Sequence, residues 1–284
     1  MTTQITRPAL RYHGGKFRLA SWIKQFMPAH QVYVEAFGGG ASVMLRKDPA
    51  HAEVYNDLDG EVVNLFRVVR SAGDELVRQI ELTPFARDEF TSAYVPSTDP
   101  IEQARRTLIR SFMGFGSAGA SGQSTGFRAN SNRSHKTPAH DWAGFPSALA
   151  SIVERLRGVV IENRDAMDCM RHHDAATTLF YVDPPYVHST RNLRTRSPAY
   201  RHEMTDGDHR LLAAGLRTLK GMVILSGYPC SLYDDELFAD WERHERTALA
   251  DGARARTEVV WLNPACSAAL NQQGLPRNLE LFSA

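Results

Sequence analysis

Short β-branched and aromatic runs recur along this chain, separated by stretches whose apolar residues return at three- and four-residue steps. QVYVE, AEVYN, GVVIENR, TLFYVD and MVILSGY read as buried strands, while EVVNLFRVVR and the segment following Thr205 have helical spacing. Strands that alternate with helices make a parallel sheet covered on both faces, so the expected fold class is α/β. The chain opens as β-α-β-α. Its first helix runs to about Met27, where Pro28 stops it, and a second helical run, ASVMLRK, follows the three glycines after QVYVEAF. DAMDCMRH and SLYDDELF read as short helices between strands, and Thr205 with Asp208 marks the start of a helix running to about Leu219. WERHERTAL and TEVVWLNP flank the turn signal DGARAR, so the sheet is expected to close with an antiparallel C-terminal hairpin.

One region breaks the alternation. Thr83-Pro84 reads as a helix start, IEQARRTLIRSFM as a helix, and residues 114–141 are rich in Gly, Ser, Asn and Arg with little apolar periodicity. A loop that long in a compact chain is either mobile or functional. The chain thus divides into a sheet-bearing part, residues 1–70 and 157–284, and an inserted, mainly helical part, residues 71–156. With 284 residues, 43% of them hydrophobic and 23% charged, there is material for one large core. No apolar run approaches the roughly 18 residues of a membrane span, and the N-terminus lacks the apolar core of a signal peptide. Cys169, Cys230 and Cys266 are far apart and form no CxxC pair, and His172-His173 lack the spacing of a helical metal face. Neither a disulfide framework nor a metal site is expected, and the chain reads as reduced and cytoplasmic.

The net charge of +1 conceals two basic blocks. Residues 103–140 contain no Asp or Glu but hold Arg105, Arg106, Arg110, Arg128, Arg133 and Lys136. Residues 184–202 are also free of acids and hold Arg191, Arg194, Arg196 and Arg201. A solvated face is the ordinary reading of one such block; two in a nearly neutral chain point to a polyanion.

Glu35-Ala36-Phe37-Gly38-Gly39-Gly40 sits where the first strand meets the next segment, and glycines there let backbone approach a ligand at the carboxyl edge of the sheet. Asp57, about 22 residues after Glu35, ends the next strand, at the usual distance of a ribose-binding acid. It could equally cap a helix. Neither GxGxxG nor GK[ST] is present, which favours a nucleoside cofactor without bound phosphates over NAD or ATP. At the end of TLFYV stands Asp183-Pro184-Pro185-Tyr186. The prolines stiffen the segment and deprive a carbonyl of local partners. Asp183 and the Pro184 carbonyl can then accept both hydrogens of an exocyclic amine, while Tyr186 offers a stacking face worth about 1–3 kcal/mol. Ser226-Gly227-Tyr228, ending a later strand, is either a further wall of that pocket or a structural turn.

Taken in order, Tyr12-His13-Gly14-Gly15-Lys16, Val34 to Gly40, Asn56-Asp57 and Asp183-Pro184-Pro185-Tyr186 resemble the DNA adenine methylase family. The resemblance covers nearly the whole chain outside the insertion. It implies a Rossmann-like methyltransferase sheet with an inserted target-recognition domain, S-adenosylmethionine as cofactor, and methyl transfer to adenine N6 in double-stranded DNA. By the same resemblance Tyr12, where the family often has tryptophan, contacts the cofactor with Gly15 and Lys16. Glu35, Phe37 and Gly38 line its methionine and ribose side, Asp57 holds the ribose, and Asp165 reaches its adenine ring. Asp183, which also borders the cofactor, Pro184 and Tyr186 would be catalytic. Arg105, Arg110, Arg128, Arg133, Lys136, Arg191, Arg194 and Arg196 would contact DNA, mostly at phosphates. Adenine N6 is hidden in a duplex, so the base would be flipped into the pocket. Cytosine N4 methylation uses the same amine logic and stays open, as does a DNA-binding protein of this fold without catalysis. RNA and protein-glutamine methylation more usually present asparagine before the prolines. A cognate restriction endonuclease is compatible with the family, and no residue here points to one.

Overall fold

The computed structural model describes residues 5–130, 137–190, 200–249 and 255–274. Seven strands form one sheet: β1 (Val32–Glu35), β2 (Ala52–Asn56), β3 (Val159–Glu162), β4 (Thr178–Val182), β5 (Met222–Gly227), β6 (Glu242–Leu249) and β7 (Ala255–Leu262). Their order is β3-β2-β1-β4-β5-β7-β6. β1 to β5 are parallel, and β7 runs antiparallel between β5 and β6. The expected mostly parallel sheet and antiparallel end are both present; the turn residues 250–254 lie outside the described residues. Strand order reverses between β1 and β4, which opens a crevice at their carboxyl ends.

Period-two alternation sorts the strand side chains onto two faces. Tyr33, Tyr55, Leu179, Tyr181, Ile224, Val260 and Leu262 enter one apolar cluster. Val34, Val54, Phe180, Val182, Val223, Leu225, Val259 and Trp261 enter the other. The first face is covered by α1 (Ala20–Ile23), α2 (Gly60–Ser71), α3 (Gly73–Leu82), α4 (Arg87–Ser92), α5 (Pro100–Met113), α6 (Pro138–Ala143) and α7 (Phe145–Arg155). The second is covered by α8 (Ala166–His172) and α9 (Asp206–Leu216), and α10 (Pro264–Gln272) returns to the first. Leu76, Ile80, Leu108, Phe112, Phe145 and Ile152, all within 71–156, share their cluster with Tyr33 and Tyr55. The helical segment and the sheet therefore bury apolar surface against a common core.

Side-chain caps explain where the helices begin. Asp59 accepts from Glu61 N at 3.0 Å, Asp99 precedes Pro100 at the first position of α5, and Thr205 and Asp208 form a reciprocal capping box on α9. Two local expectations are corrected. Thr83-Pro84 does not start a helix: the Thr83 hydroxyl donates to Gln79 O at 2.7 Å and closes α3, and α4 begins at Arg87. ASVMLRK makes successive turns instead of a regular helix, because Gly39 and Ala41 have φ of +46° and +52° and Met44 N donates to Glu35. SLYDDELF is helical as expected, with the wider π-helix geometry over Leu232–Leu237. α10 was not expected, although Asn263 caps it and Pro264 fills its first turn.

An ion cluster supports the glycine turn from within. Glu53 on β2 meets Lys47 Nζ at 2.7 Å and Arg155 Nη1 at 2.6 Å, and Arg155 Nη2 donates to Met44 O at 2.7 Å. Burial alone would raise the Glu53 carboxyl; the hydrogen bonds from Arg155 and Lys47 outweigh it and hold it below the usual range.

Candidate active site

Glu35 is in register with Tyr55 on one side and Tyr181 on the other, so the carboxyl ends of β1, β2 and β4 lie side by side. Buried Asn56 joins them to β3: its Nδ2 donates to Ala36 O at 2.9 Å and Arg164 O at 3.1 Å, and its Oδ1 accepts from Arg164 N at 3.0 Å. Its carbonyl accepts from Gly38 N at 2.7 Å. Gly38 is required by contact, since a Cβ there would fall 2.2 Å from the Tyr55 ring. Glu35 accepts from the Tyr33 hydroxyl at 2.9 Å and Met44 N at 2.7 Å, and burial pushes its carboxyl up to about 8. Asp57 accepts from Gly39 N at 2.7 Å and Asp59 N at 2.8 Å; burial raises its carboxyl despite both bonds.

A cavity of about 510 Å³ opens at this edge, within the range of small-molecule sites, roughly 300–1,000 Å³. Tyr12, Gly15, Lys16, Glu35, Phe37, Gly38, Asp57, Asp165 and Asp183 all line it, so the structure brings every residue of the expected cofactor set to one cavity. Asp165 also caps α8, accepting from Met167 N at 2.9 Å and Asp168 N at 3.1 Å. Residues 200–204 form a wall from the far side.

Asp183 follows β4 directly. Its Oδ1 accepts from Ser226 Oγ at 2.7 Å and from Lys16 Nζ at 2.9 Å, and its Oδ2 accepts from the same ammonium at 3.1 Å. Tyr181 OH donates to Ser226 Oγ at 3.1 Å. Lys16 Nζ also donates to Gly14 O at 2.9 Å and meets the Tyr186 hydroxyl. Burial alone would lower the Lys16 pKa; Asp183, then Glu258 at 3.9 Å, outweigh it and hold the ammonium well above its ordinary value. Tyr186 is buried and packs on Tyr228 with ring centroids 4.4 Å apart. Pro184 is buried, and among the described residues nothing donates a hydrogen bond to its carbonyl. Ser226 holds Asp183 and Tyr228 packs on Tyr186, while neither is among the residues that line the cavity. Glu258 carries no signal of its own in the sequence: an isolated glutamate in a strand reads as a pleat position, and only the β4-β5-β7 order brings it near Asp183.

A profile of D12 class N6 adenine-specific DNA methyltransferases matches residues 12–250, which include the N-terminal loop, the glycine turn and Asp183-Pro184-Pro185-Tyr186. The chain belongs to this family. It is 28% identical over 255 residues to the DNA adenine methylase of Serratia marcescens, an alignment covering 84% of this chain and 87% of that protein. The DNA adenine methylase of Escherichia coli K12 is 27% identical over 189 residues, covering 64% of this chain and 65% of its own length. That of Haemophilus influenzae is 26% identical over 193 residues, covering 64% of both. The methyltransferase acts on N6 of adenine in DNA and uses S-adenosylmethionine. Among the described residues no helix is long and apolar enough to cross a membrane, and no group of His, Cys, Asp and Glu is placed to hold a metal ion.

Among the described residues, the arginines of these basic blocks are less open than their sequence suggests. Arg105 bridges Glu102 at 2.6 Å and Glu89 at 2.8 Å. Arg110 is 3% exposed and donates to Glu61 at 2.7 Å and to Ala93 O at 2.9 Å. Arg128 is buried and donates to Phe112 O at 3.0 Å. All three are engaged within the protein: an acid-free stretch of sequence is not acid-free in space, because earlier helices bring Glu61 to Arg110 and Glu89 to Arg105. Arg201 likewise meets Glu61 at 2.8 Å and Asp59 at 3.3 Å. Arg133, Lys136, Arg191, Arg194 and Arg196 lie outside the described residues.

Proposed function

We propose that this methyltransferase acts on double-stranded DNA by flipping the target adenine out of the duplex, with Asp183 and the Pro184 carbonyl accepting the two hydrogens of N6. The observation carrying this reading is Asp183 itself, a carboxylate at a strand end bordering the cavity and oriented by Ser226 and Lys16. The N6 lone pair is delocalised into the purine ring, and two acceptors on its hydrogens return electron density to the nitrogen. Asp183 would hold the N6 hydrogen as the amine attacks the methyl donor and would pass the released proton to water. The work is positioning and electrostatics. Tyr186, held by Tyr228, supplies an aromatic face for the base.

S-adenosylmethionine, when bound, supplies the methyl group on a sulfonium sulfur. The cavity suits it in size and in lining. Each oxygen of Asp57 already accepts one backbone N–H, and a carboxylate has about four acceptor positions, so a ribose hydroxyl finds a place on it. Tyr12, Gly15 and Lys16 wall the cavity from the N-terminal loop, Glu35, Phe37 and Gly38 from the glycine turn, and Asp165 from the start of α8. Residues 71–156 serve as the target-recognition unit, and Arg133, Lys136, Arg191, Arg194 and Arg196 meet phosphates.

The flipping step is tested by first mapping which adenines the protein methylates, then replacing one with 2-aminopurine. Binding should raise 2-aminopurine fluorescence severalfold. Unchanged fluorescence under saturating protein and cofactor would contradict the reading.

A further inference from the structure

Glu258, on β7, lies beyond the residues matched by the family profile, yet it reaches the catalytic motif. It is 9% exposed, its Oε2 is buried without a hydrogen-bond partner among the described residues, and that oxygen stands 3.9 Å from Lys16 Nζ. A buried carboxylate oxygen left unpaired is costly. Lys16 is crowded in the opposite sense. Its ammonium has three N–H donors but faces four nearer acceptors: both oxygens of Asp183, Gly14 O and the Tyr186 hydroxyl. The ammonium thus occupies much of the carboxylate that the target amine requires. It also places a positive charge beside a nitrogen that becomes positive during transfer.

We infer that Glu258 is a positioning residue of the transfer step, drawing the Lys16 ammonium off Asp183 when the target amine arrives. A movement of about 1 Å brings Nζ within hydrogen-bond range of Oε2. Asp183 then keeps its Ser226 bond and offers its freed lone pairs to N6. Charge follows the same logic. With Glu258 ionised, Lys16, Asp183 and Glu258 together leave one negative charge to oppose the developing cation; with Glu258 protonated they leave none. The inference rests on the reading of Asp183 as the acceptor of N6.

The groups facing Glu258 are Lys16, Asp183, Tyr186 and Tyr228, with Arg256 on its own strand and Arg246 opposite it on β6. Burial raises its carboxyl, Lys16 and Arg256 oppose the rise, and Asp183 adds to it. The carboxylate is therefore lost as pH falls through a raised value, and transfer should carry a matching acid limb.

The experiment is single-turnover methyl transfer to DNA between about pH 5.5 and 8.5, with cofactor and DNA affinities measured in parallel. Glu258→Gln should keep both affinities within about twofold, transfer at least about tenfold more slowly near pH 8, and lose the acid limb. Glu258→Asp should keep a limb with a shifted midpoint. A Gln variant with wild-type rate and limb overturns the inference. If that variant fails to fold, a flat wild-type profile, or an unmoved midpoint in Glu258→Asp, overturns it equally. Asp183→Ala run alongside separates the two claims: transfer by Asp183→Ala defeats the underlying reading, whereas an inactive Asp183→Ala beside a fully active Glu258→Gln defeats this inference alone.

Discussion

Burial of Glu35 beneath the glycine turn ties the stability of the site to pH. With its carboxyl raised from 4.5 to about 8, the folded protein binds a proton that the unfolded chain has already lost. Folded-state stability from this group is complete below the ordinary value and declines as pH rises toward about 8. Glu35→Gln should remove that decline, a few kcal/mol at most, measured by urea unfolding at about pH 5 and pH 8.5. Equal losses in wild type and variant would assign the decline to other groups. At this scale Asp183, Tyr186 and Asp57 were legible, because each sits in a motif whose residues are adjacent in the chain. Arg110 was not. Its partner Glu61 is 49 residues away, and nothing near Arg110 in sequence announces a buried ion pair.

The glycine turn and its supports act as one element. Gly38→Ala must displace the Tyr55 ring, whose hydroxyl donates to Gly39 O at 2.8 Å, so the change strains the turn on both sides. A loss of about 1–3 kcal/mol is expected, with weaker cofactor binding, and calorimetry with and without S-adenosylmethionine measures both. Unaltered stability would mean that β2 yields more easily than its packing implies. Glu53→Ala strips Lys47 and Arg155 of their shared buried partner and should cost about 3–5 kcal/mol in denaturant unfolding. The strands were readable because each satisfies the two-residue period locally. ASVMLRK was misread because its composition favours a helix, while two positive φ angles and the Met44–Glu35 bond oppose one. α10 begins at Asn263-Pro264, a cap followed by proline, as α5 does at Asp99-Pro100, whereas the same pairing at Thr83-Pro84 begins no helix.

For the whole molecule, sheet order assembles the site. β4 stands between β1 and β5, so Asp183 shares its cavity with the glycine turn and accepts from Ser226, and β7 beside β5 adds Glu258. DNA binding belongs to the same scale. If Arg191, Arg194 and Arg196 meet phosphates, changing all three to Gln should lower the slope of log affinity against log salt by about three, close to 0.9 per charge. An unchanged slope would place the phosphate contacts elsewhere. The central claim, that Asp183 accepts N6 for transfer, is met most directly by single-turnover labelling. Wild type and Asp183→Ala are each incubated with labelled S-adenosylmethionine and DNA, and the DNA is digested to nucleosides. Label is expected in N6-methyl-2′-deoxyadenosine from the wild type and none from Asp183→Ala, with DNA binding retained by both. Label in N4-methylcytosine, or substantial transfer by Asp183→Ala, would contradict it.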